Sequence, residues 1–129
     1  MIKRAAIAFV GAVLMATAAV AQTAPATVAD TSKGKALVDA KGMTLYVFDK
    51  DKDMPGKSAC NGPCADNWPV LLASDGAKAS GDWTIVTRDD GKKMWAYKGR
   101  PLYTWKNDKA PGDVDGDGKL NGAWHIAAP

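Results

Sequence analysis

A tandem duplication constrains the fold of this chain more than any other feature of its sequence. The pair Lys41-Gly42 recurs as Lys98-Gly99, 57 residues further on, and a phrase of the form Tyr-x-aromatic-x-x-Asp follows each pair. The remaining landmarks recur in the same order: Tyr46, Phe48 and Asp51 match Tyr103, Trp105 and Asp108 at the same offset, and Pro55-Gly56 and Trp68 match Pro111-Gly112 and Trp124 at an offset of 56. A unit of about 55 residues buries little surface by itself, so we expect the two units to share one core.

The residue pattern within each unit is typical of strands and tight turns. Side chains alternate along 44–48, so that Tyr46 and Phe48 face one way and Leu45 and Val47 the other. The segment Arg88-Asp89-Asp90-Gly91 is a strong hairpin signal. All 14 acidic residues are aspartate, which favours turns and caps over helix interiors. The sequence therefore predicts an all-β fold, a compact two-repeat domain with pseudo-twofold symmetry that forms a small sandwich or a partly open barrel.

The N-terminal segment has the features of an export signal. A short basic start precedes an apolar run from Ala5 to Val20, and small residues end that run at 19–21. We therefore expect a signal peptide over residues 1–21, an N-terminal leader over 22–32 and a single β domain over 33–129, with repeats at about 33–72 and 83–129. No cysteine lies near the expected cut, and we expect no transmembrane segment after cleavage. The expected location is periplasmic or secreted.

Charge narrows the range of expected partners. Without Lys3 and Arg4 the chain has 15 basic and 14 acidic residues, a net charge of +1, and no block of like charge stands out. Nucleic acid is therefore not an expected partner. The expected partners are an unknown small molecule, a glycan or a component of the cell envelope.

The two cysteines, Cys60 and Cys64, are predicted to form a disulfide. An exported protein enters an oxidising compartment, and the bond would close a loop of five residues and fix the Asn61-Gly62-Pro63 turn. The spacing does not match a thioredoxin-type motif, an attached haem or a zinc site. A redox-active pair is the alternative, because an exposed disulfide in a short loop can be strained and reducible.

The loop that begins at Asp113 follows the first half of a calcium-binding loop. Oxygen ligands stand at positions 1, 3, 5 and 9 and glycine at position 6, and the candidate metal ligands are Asp113, Asp115, Asp117 and Asn121. Position 12 is Trp124 in place of the glutamate that binds the ion with two oxygens, and the flanking segments are predicted as strands, which excludes an EF-hand. Ca²⁺ is the cofactor that the sequence suggests, and a plain Asp/Gly turn is the alternative.

The repeated Tyr-x-aromatic-x-x-Asp phrase permits two interpretations. Its aromatic residues can pack in the core while Asp51 and Asp108 cap the loops that follow, by accepting hydrogen bonds from backbone N–H groups. Alternatively, the two phrases form a ligand cleft at the pseudo-twofold axis, where aromatic faces and carboxylates contact a sugar, a peptide or a cation. The candidate ligand-binding residues are then Tyr46, Phe48, Asp51, Tyr103, Trp105 and Asp108.

The combination of motifs resembles a known family. The paired phrase, together with Ser58-Ala-Cys-Asn-Gly-Pro-Cys-Ala65, Trp68-Pro69 and Gly122-Ala-Trp-His125, is similar to the bacterial secreted-repeat family, also described as predicted lipoproteins with a Yx(F/W/Y)xxD motif. The resemblance covers about 33–129 and implies export without implying a particular activity. This chain lacks the lipidated cysteine of the lipoprotein members, so the resemblance does not imply a membrane tether.

Enzymatic chemistry finds little support in the sequence. There is no Gly-x-Ser-x-Gly phrase and no glutamate, and a triad would have to combine His125 with a distant serine and aspartate. The sequence therefore predicts an exported, non-catalytic binding or envelope-associated module of unknown ligand, with no catalytic residues assigned. The alternatives are a calcium-binding module that uses the 113–121 loop, and a periplasmic redox protein that uses Cys60 and Cys64.

Overall fold

The computed structural model of the chain describes residues 24–129, and the predicted signal peptide lies outside the described residues. The elements of the first repeat are β1 (Thr27–Thr31), β2 (Gly34–Val38), β3 (Tyr46–Phe48), a 3-10 helix (Asp49–Asp53) and α1 (Pro63–Asn67). β1 pairs antiparallel with β2, with Thr27 opposite Val38 and Thr31 opposite Gly34. The segment predicted as a leader therefore contributes a strand.

The second repeat also begins with an antiparallel hairpin, here formed by its first two strands. Its elements are β4 (Trp83–Thr87), β5 (Lys93–Tyr97), β6 (Arg100–Pro101), the helical turn α2 (Lys119–Gly122) and β7 (Trp124–Ile126). The hairpin signal at residues 88–91 is confirmed: β4 pairs antiparallel with β5, and the Arg88 N–H donates to the Lys92 carbonyl at 2.8 Å. Within residues 24–129 the strands form three small antiparallel sheets, β1-β2, β3-β7 and β4-β5-β6, and no closed barrel.

A strand exchange joins the two repeats. β3 of the first repeat pairs antiparallel with β7 of the second, with Tyr46 opposite Ile126 and Phe48 opposite Trp124. Tyr46 and Tyr103 also bridge each other directly, and each backbone N–H donates to the other residue's carbonyl, at 2.7 and 3.0 Å. Both halves of the chain thus build the centre of the domain. The all-β, two-repeat prediction is confirmed, and the arrangement is that of a small sandwich.

A strand that starts at the repeated tryptophan forms fully only in the second repeat, as β7. In the first repeat, Val70 and Leu72 make only isolated bridges, to Tyr103 and Met94. Pro69 has no N–H to donate, which interrupts the ladder beside Trp68.

The buried side chains form two clusters on opposite faces of β3. Tyr46 and Phe48 belong to one cluster, and Leu45 and Val47 to the other. The alternation predicted from the sequence is therefore confirmed. The first cluster also holds Cys60, Trp68, Val86, Met94, Ala96, Tyr103 and Trp124, and the second holds Ala26, Leu37, Leu102 and Ala127.

Candidate functional site

Two stacked tryptophans mark the pseudo-twofold axis. Trp68 and Trp124, which are equivalent in the two repeats, lie with ring centroids 3.7 Å apart and planes 4° from parallel. Phe48 stacks on Trp124 at 4.2 Å, and its equivalent Trp105 packs on Trp68 at 4.4 Å. The outer rings are thus exchanged between the repeats, so that the phrase of each repeat packs against the tryptophan of the other.

The tyrosines and aspartates of the phrase are exchanged in the same way. The Tyr46 hydroxyl donates to Asp108 Oδ2 at 2.6 Å, and the Tyr103 hydroxyl donates to Asp51 Oδ2 at 2.7 Å. The second oxygen of each carboxylate accepts a backbone N–H, from Ala59 for Asp51 at 2.6 Å and from Asp115 for Asp108 at 3.0 Å. Each phrase therefore has its polar groups satisfied only when the other repeat is in place.

Burial changes the proton affinity of these groups. It raises the pKa of Tyr46 and of Tyr103, and the neighbouring carboxylates raise both further. Burial also raises the pKa of Asp51 and Asp108, against the lowering effect of the hydrogen bonds that they accept. The phenols thus stay protonated donors over a wide range of pH.

A buried arginine supports the pair formed by Tyr103 and Asp51. Arg88 donates from Nη1 to Ser58 Oγ at 2.7 Å and from Nη2 to the Cys60 carbonyl at 2.8 Å. Ser58 Oγ in turn lies 2.7 Å from the Tyr103 hydroxyl. Sequence reasoning assigned Arg88 only to the hairpin turn. No local sequence signal distinguishes it from an exposed turn residue, because its partners lie about 30 residues away.

The structure brings together all six residues predicted to bind a ligand, and it places most of them in the core. Tyr46 and Tyr103 have no exposed surface, and Phe48, Asp51 and Asp108 are buried, whereas Trp105 is partly exposed. The packing interpretation of the phrase accounts for these contacts. Direct ligand contact by the six stays a prediction, and Trp105 is the member that a ligand reaches without opening the core.

A groove of about 550 Å³ lies on the side of β3 and of the segment around Tyr103 that faces away from the aromatic cluster. Since side chains alternate along a strand, the neighbours of the buried aromatics, Val47 and Leu102, face it. We call this site the basic groove, and its lining residues are Val47, Asp49, Lys52, Tyr97, Lys98, Arg100, Leu102 and 125–128. The sequence offered no signal for it beyond the alternation, because its walls come from three separate segments.

Cationic groups surround one carboxylate in the basic groove. Asp49 Oδ2 lies 2.9 Å from His125 Nε2, and Asp49 Oδ1 lies 3.7 Å from Arg100 Nη2 and 4.0 Å from Lys52 Nζ. The hydrogen bond with His125 is the main cause that lowers the pKa of Asp49. With Lys98, the groove carries three Lys/Arg charges against one aspartate. Within the described part of the chain, Arg100 Nε is buried and has no hydrogen-bond partner.

Three carboxylates also approach one another in the Asp/Gly loop. Oxygens of Asp108, Asp113 and Asp115 lie within 4.8 Å of one another. Asp117 points elsewhere, because its Oδ1 accepts the Ile126 N–H at 3.0 Å and its Oδ2 lies 3.5 Å from Lys33 Nζ. Of the predicted ligand set, the structure thus gathers Asp113 and Asp115 and adds Asp108. Carboxylate oxygens suit Ca²⁺, and metal binding at this loop stays a prediction.

The predicted disulfide is confirmed. Cys60 and Cys64 are bonded, with an S–S distance of 2.03 Å. Cys60 is fully buried in the aromatic cluster and Cys64 is partly exposed. Thiol exchange requires access to a sulfur, so the more accessible point of attack is Cys64. A redox role for the pair stays a prediction.

Comparison with known proteins identifies two matching stretches. Residues 27–72 and 84–128 each match a family model described as a secreted repeat of unknown function. Comparison with curated proteins and with solved structures gave no significant match. The two stretches coincide with the two structural repeats, and the family description agrees with the predicted periplasmic or secreted location. None of the helices in residues 24–129 has the length and hydropathy that a bilayer span needs.

Proposed function

The chain belongs to this family of secreted repeats of unknown function, and we propose that it is an exported, non-catalytic binding module whose basic groove takes an acidic ligand. The observation that carries the proposal is that Lys52 and Arg100 lie beside the single carboxylate of Asp49, while Lys98 lines the same groove. Such a site attracts anions, and a ligand carboxylate can pair with the partly exposed guanidinium of Arg100.

The size and walls of the basic groove favour a small molecule or a short glycan. Its volume of about 550 Å³ falls within the range of ordinary ligand sites. Its lining includes the buried aliphatic side chains of Val47 and Leu102 and the partly exposed Tyr97. An acidic saccharide matches these features, because its carboxylate can meet the cations and its apolar ring face can meet Tyr97.

In this proposal the repeated phrase acts as the scaffold of the groove. The exchanged Tyr–Asp pairs fix β3 and the segment that contains Tyr103, and the opposite faces of these segments carry Val47 and Leu102. Binding groups held by a rigid, fully hydrogen-bonded core lose little entropy when a ligand binds.

The test is an NMR titration of the exported, purified chain with glucuronate oligosaccharides, with neutral cello-oligosaccharides as the matched probe. We expect backbone shifts to be confined to the basic groove and to occur with the acidic probe alone. Arg100→Gln removes a charge-assisted hydrogen bond and should raise Kd about ten- to hundredfold. Asp49→Asn removes the competing carboxylate and should lower Kd, while Lys35→Gln, at an exposed ion pair that does not line the groove, should leave it unchanged.

Several outcomes of that titration would contradict the proposal. These are equal shifts with the neutral and acidic probes, shifts that fall outside the groove, and a loss of affinity in Asp49→Asn. If Lys35→Gln weakens binding as much as Arg100→Gln does, the attraction comes from overall charge and not from the groove.

A second candidate function is calcium binding at the Asp/Gly loop, which is favoured by the approach of Asp108, Asp113 and Asp115. An ion that binds only the folded state at a hundred times its Kd adds about 2.7 kcal/mol to the free energy of unfolding. Thermal unfolding with a chelator and then with millimolar Ca²⁺ measures this. We expect a higher midpoint with Ca²⁺ that is lost in Asp115→Asn and retained in Asp75→Asn, an exposed loop control. An unchanged midpoint in the unsubstituted chain would rule out this candidate.

A further inference from the structure

A continuous series of ring contacts leads from the surface to the two buried tyrosines. Trp105, which is partly exposed, packs on Trp68 at 4.4 Å, and Trp68 stacks on Trp124 at 3.7 Å. Tyr46 forms an edge-to-face contact with Trp68, with ring centroids 5.5 Å apart, and Tyr103 forms one with Trp124, with ring centroids 5.0 Å apart. The binding proposal uses none of these groups except as packing.

We propose that this aromatic stack relays a one-electron oxidation from Trp105 to the hydrogen-bonded tyrosines Tyr46 and Tyr103. The co-reactant is a small one-electron oxidant, such as an inorganic radical, that reaches Trp105 at the surface. The chain would thus carry an oxidising equivalent away from an exposed side chain to a protected one. This activity does not depend on the basic groove.

The relay balances as a coupled transfer of an electron and a proton. The oxidant takes one electron from the Trp105 ring and is itself reduced. An electron then moves outward from a tyrosine through Trp68, or through Trp124 and Trp68, and restores Trp105. The tyrosine hydroxyl gives its proton to the carboxylate that it already contacts, Asp108 for Tyr46 at 2.6 Å and Asp51 for Tyr103 at 2.7 Å. The products are a neutral tyrosyl radical and a neutral carboxylic acid.

The charges around the stack favour movement in this direction. Lys119 Nζ lies 5.3 Å from the centre of the Trp105 ring, and its positive charge disfavours an electron-deficient ring at the outer end. The carboxylate of Asp108 lies at the inner end beside Tyr46 and favours positive charge there. At Tyr103 the charge of Arg88, which reaches the hydroxyl through Ser58, opposes that of Asp51, so Tyr46 is the favoured end point. Burial raises the pKa of both aspartates, which makes them better proton acceptors.

The composition of the chain allows a direct test. The chain has three tyrosines, so in the Tyr97→Phe variant any tyrosyl radical must form on Tyr46 or Tyr103, and neither has exposed surface. Azide radicals generated by pulse radiolysis oxidise accessible tryptophan. We expect the absorption of the tryptophanyl radical to decay as the tyrosyl absorption grows, at a rate that does not depend on protein concentration.

A matched pair of tryptophan substitutions in the Tyr97→Phe chain tests the route. Trp105→Phe should lower the tyrosyl yield severalfold, and the fold tolerates phenylalanine at the equivalent position of the first repeat, Phe48. Trp83→Phe is the control: Trp83 is also partly exposed but contacts Trp95 and Tyr97, away from the stack. We expect Trp83→Phe to leave unchanged the rate at which the tryptophanyl radical on Trp105 is replaced by a tyrosyl radical.

The proposal would be overturned by a tryptophanyl radical that forms in Tyr97→Phe and decays without a tyrosyl radical. It would equally be overturned by a conversion whose rate scales with protein concentration, or by a yield that depends on Trp83 and not on Trp105. If Trp105→Phe does not fold, the decisive measurement is the rate of conversion from tryptophanyl to tyrosyl radical in the Tyr97→Phe chain, in D₂O and in H₂O. Because a phenolic proton moves in the transfer, the conversion should slow in D₂O, and an unchanged rate refutes the relay.

Discussion

Removing the Tyr46 hydroxyl should destabilise the protein far more than an ordinary Tyr→Phe substitution does. The hydroxyl donates to Asp108 Oδ2 at 2.6 Å and accepts the Gly116 N–H at 3.2 Å, in a side chain with no exposed surface. Phenylalanine keeps the ring and leaves both partners unsatisfied. A hydrogen bond to a charged group contributes about 1.5–3 kcal/mol and a neutral one about 0.5–1.5 kcal/mol, so we expect a loss of about 2–4 kcal/mol.

Thermal and urea unfolding measure this loss. For a domain of this size each kcal/mol lowers Tm by about 4–8 °C, so the midpoint of Tyr46→Phe should fall by about 8–32 °C. Tyr97→Phe, at a partly exposed tyrosine, is the control and should change the free energy of unfolding by less than about 0.5 kcal/mol.

A double-mutant cycle tests the exchange between repeats itself. Tyr46→Phe combined with Asp108→Asn should show a coupling energy of about 1–3 kcal/mol, because the two side chains contact each other. Tyr46→Phe combined with Asp51→Asn, which pairs the tyrosine with the aspartate of its own repeat, should show much less. Coupling to Asp51 in place of Asp108 would refute the exchanged arrangement.

Three further predictions follow from the core. Gly116→Ala should cost about 1–3 kcal/mol, because an added Cβ would lie 2.9 Å from Trp68 Cη2, whereas Gly76→Ala has open space and should be neutral when both are measured by urea unfolding. Folding raises the pKa of Tyr46 and of Tyr103, so their contribution to stability is complete below about pH 10 and is lost at higher pH. An ultraviolet titration should therefore show these two phenols ionising only when circular dichroism reports unfolding. Reducing the five-residue disulfide loop should lower the free energy of unfolding by about 2 kcal/mol, and an unchanged urea midpoint would contradict this.

The sequence predicted the features that depend on local pattern or on repetition. Alternation along 44–48 assigned Tyr46 and Phe48 to one face, and the Asp-Asp-Gly segment located the β4–β5 hairpin. The short spacing of Cys60 and Cys64 in an exported chain predicted their bond. The duplication predicted a shared core, because neither half could bury enough surface alone.

The features that escaped prediction depend on contacts between distant segments. Both Asp51 and Asp108 follow a Tyr-x-aromatic phrase at the same spacing, so nothing in the sequence says that Tyr46 pairs with the more distant aspartate. Arg88 looks like a turn residue until its partners, Ser58 and Cys60, are placed beside it. The groove could not be predicted because its lining residues come from separate segments that only the fold brings together.

The exchange of partners across the axis has a consequence for how such a chain could arise. A lone ancestral repeat would have found an aspartate for its tyrosine only in a second molecule, so its natural state would have been a homodimer. Fusing two copies made that dimer contact intramolecular and released the two loops from having identical sequences. The loop after the first phrase now carries a disulfide and the buried contact to Arg88, and the loop after the second carries Gly116 and three clustered carboxylates. The aromatic centre is alike in the two repeats, whereas the loops that follow the two phrases differ in their residues. A fused dimer permits such a difference, because its two halves are encoded separately, and a homodimer does not.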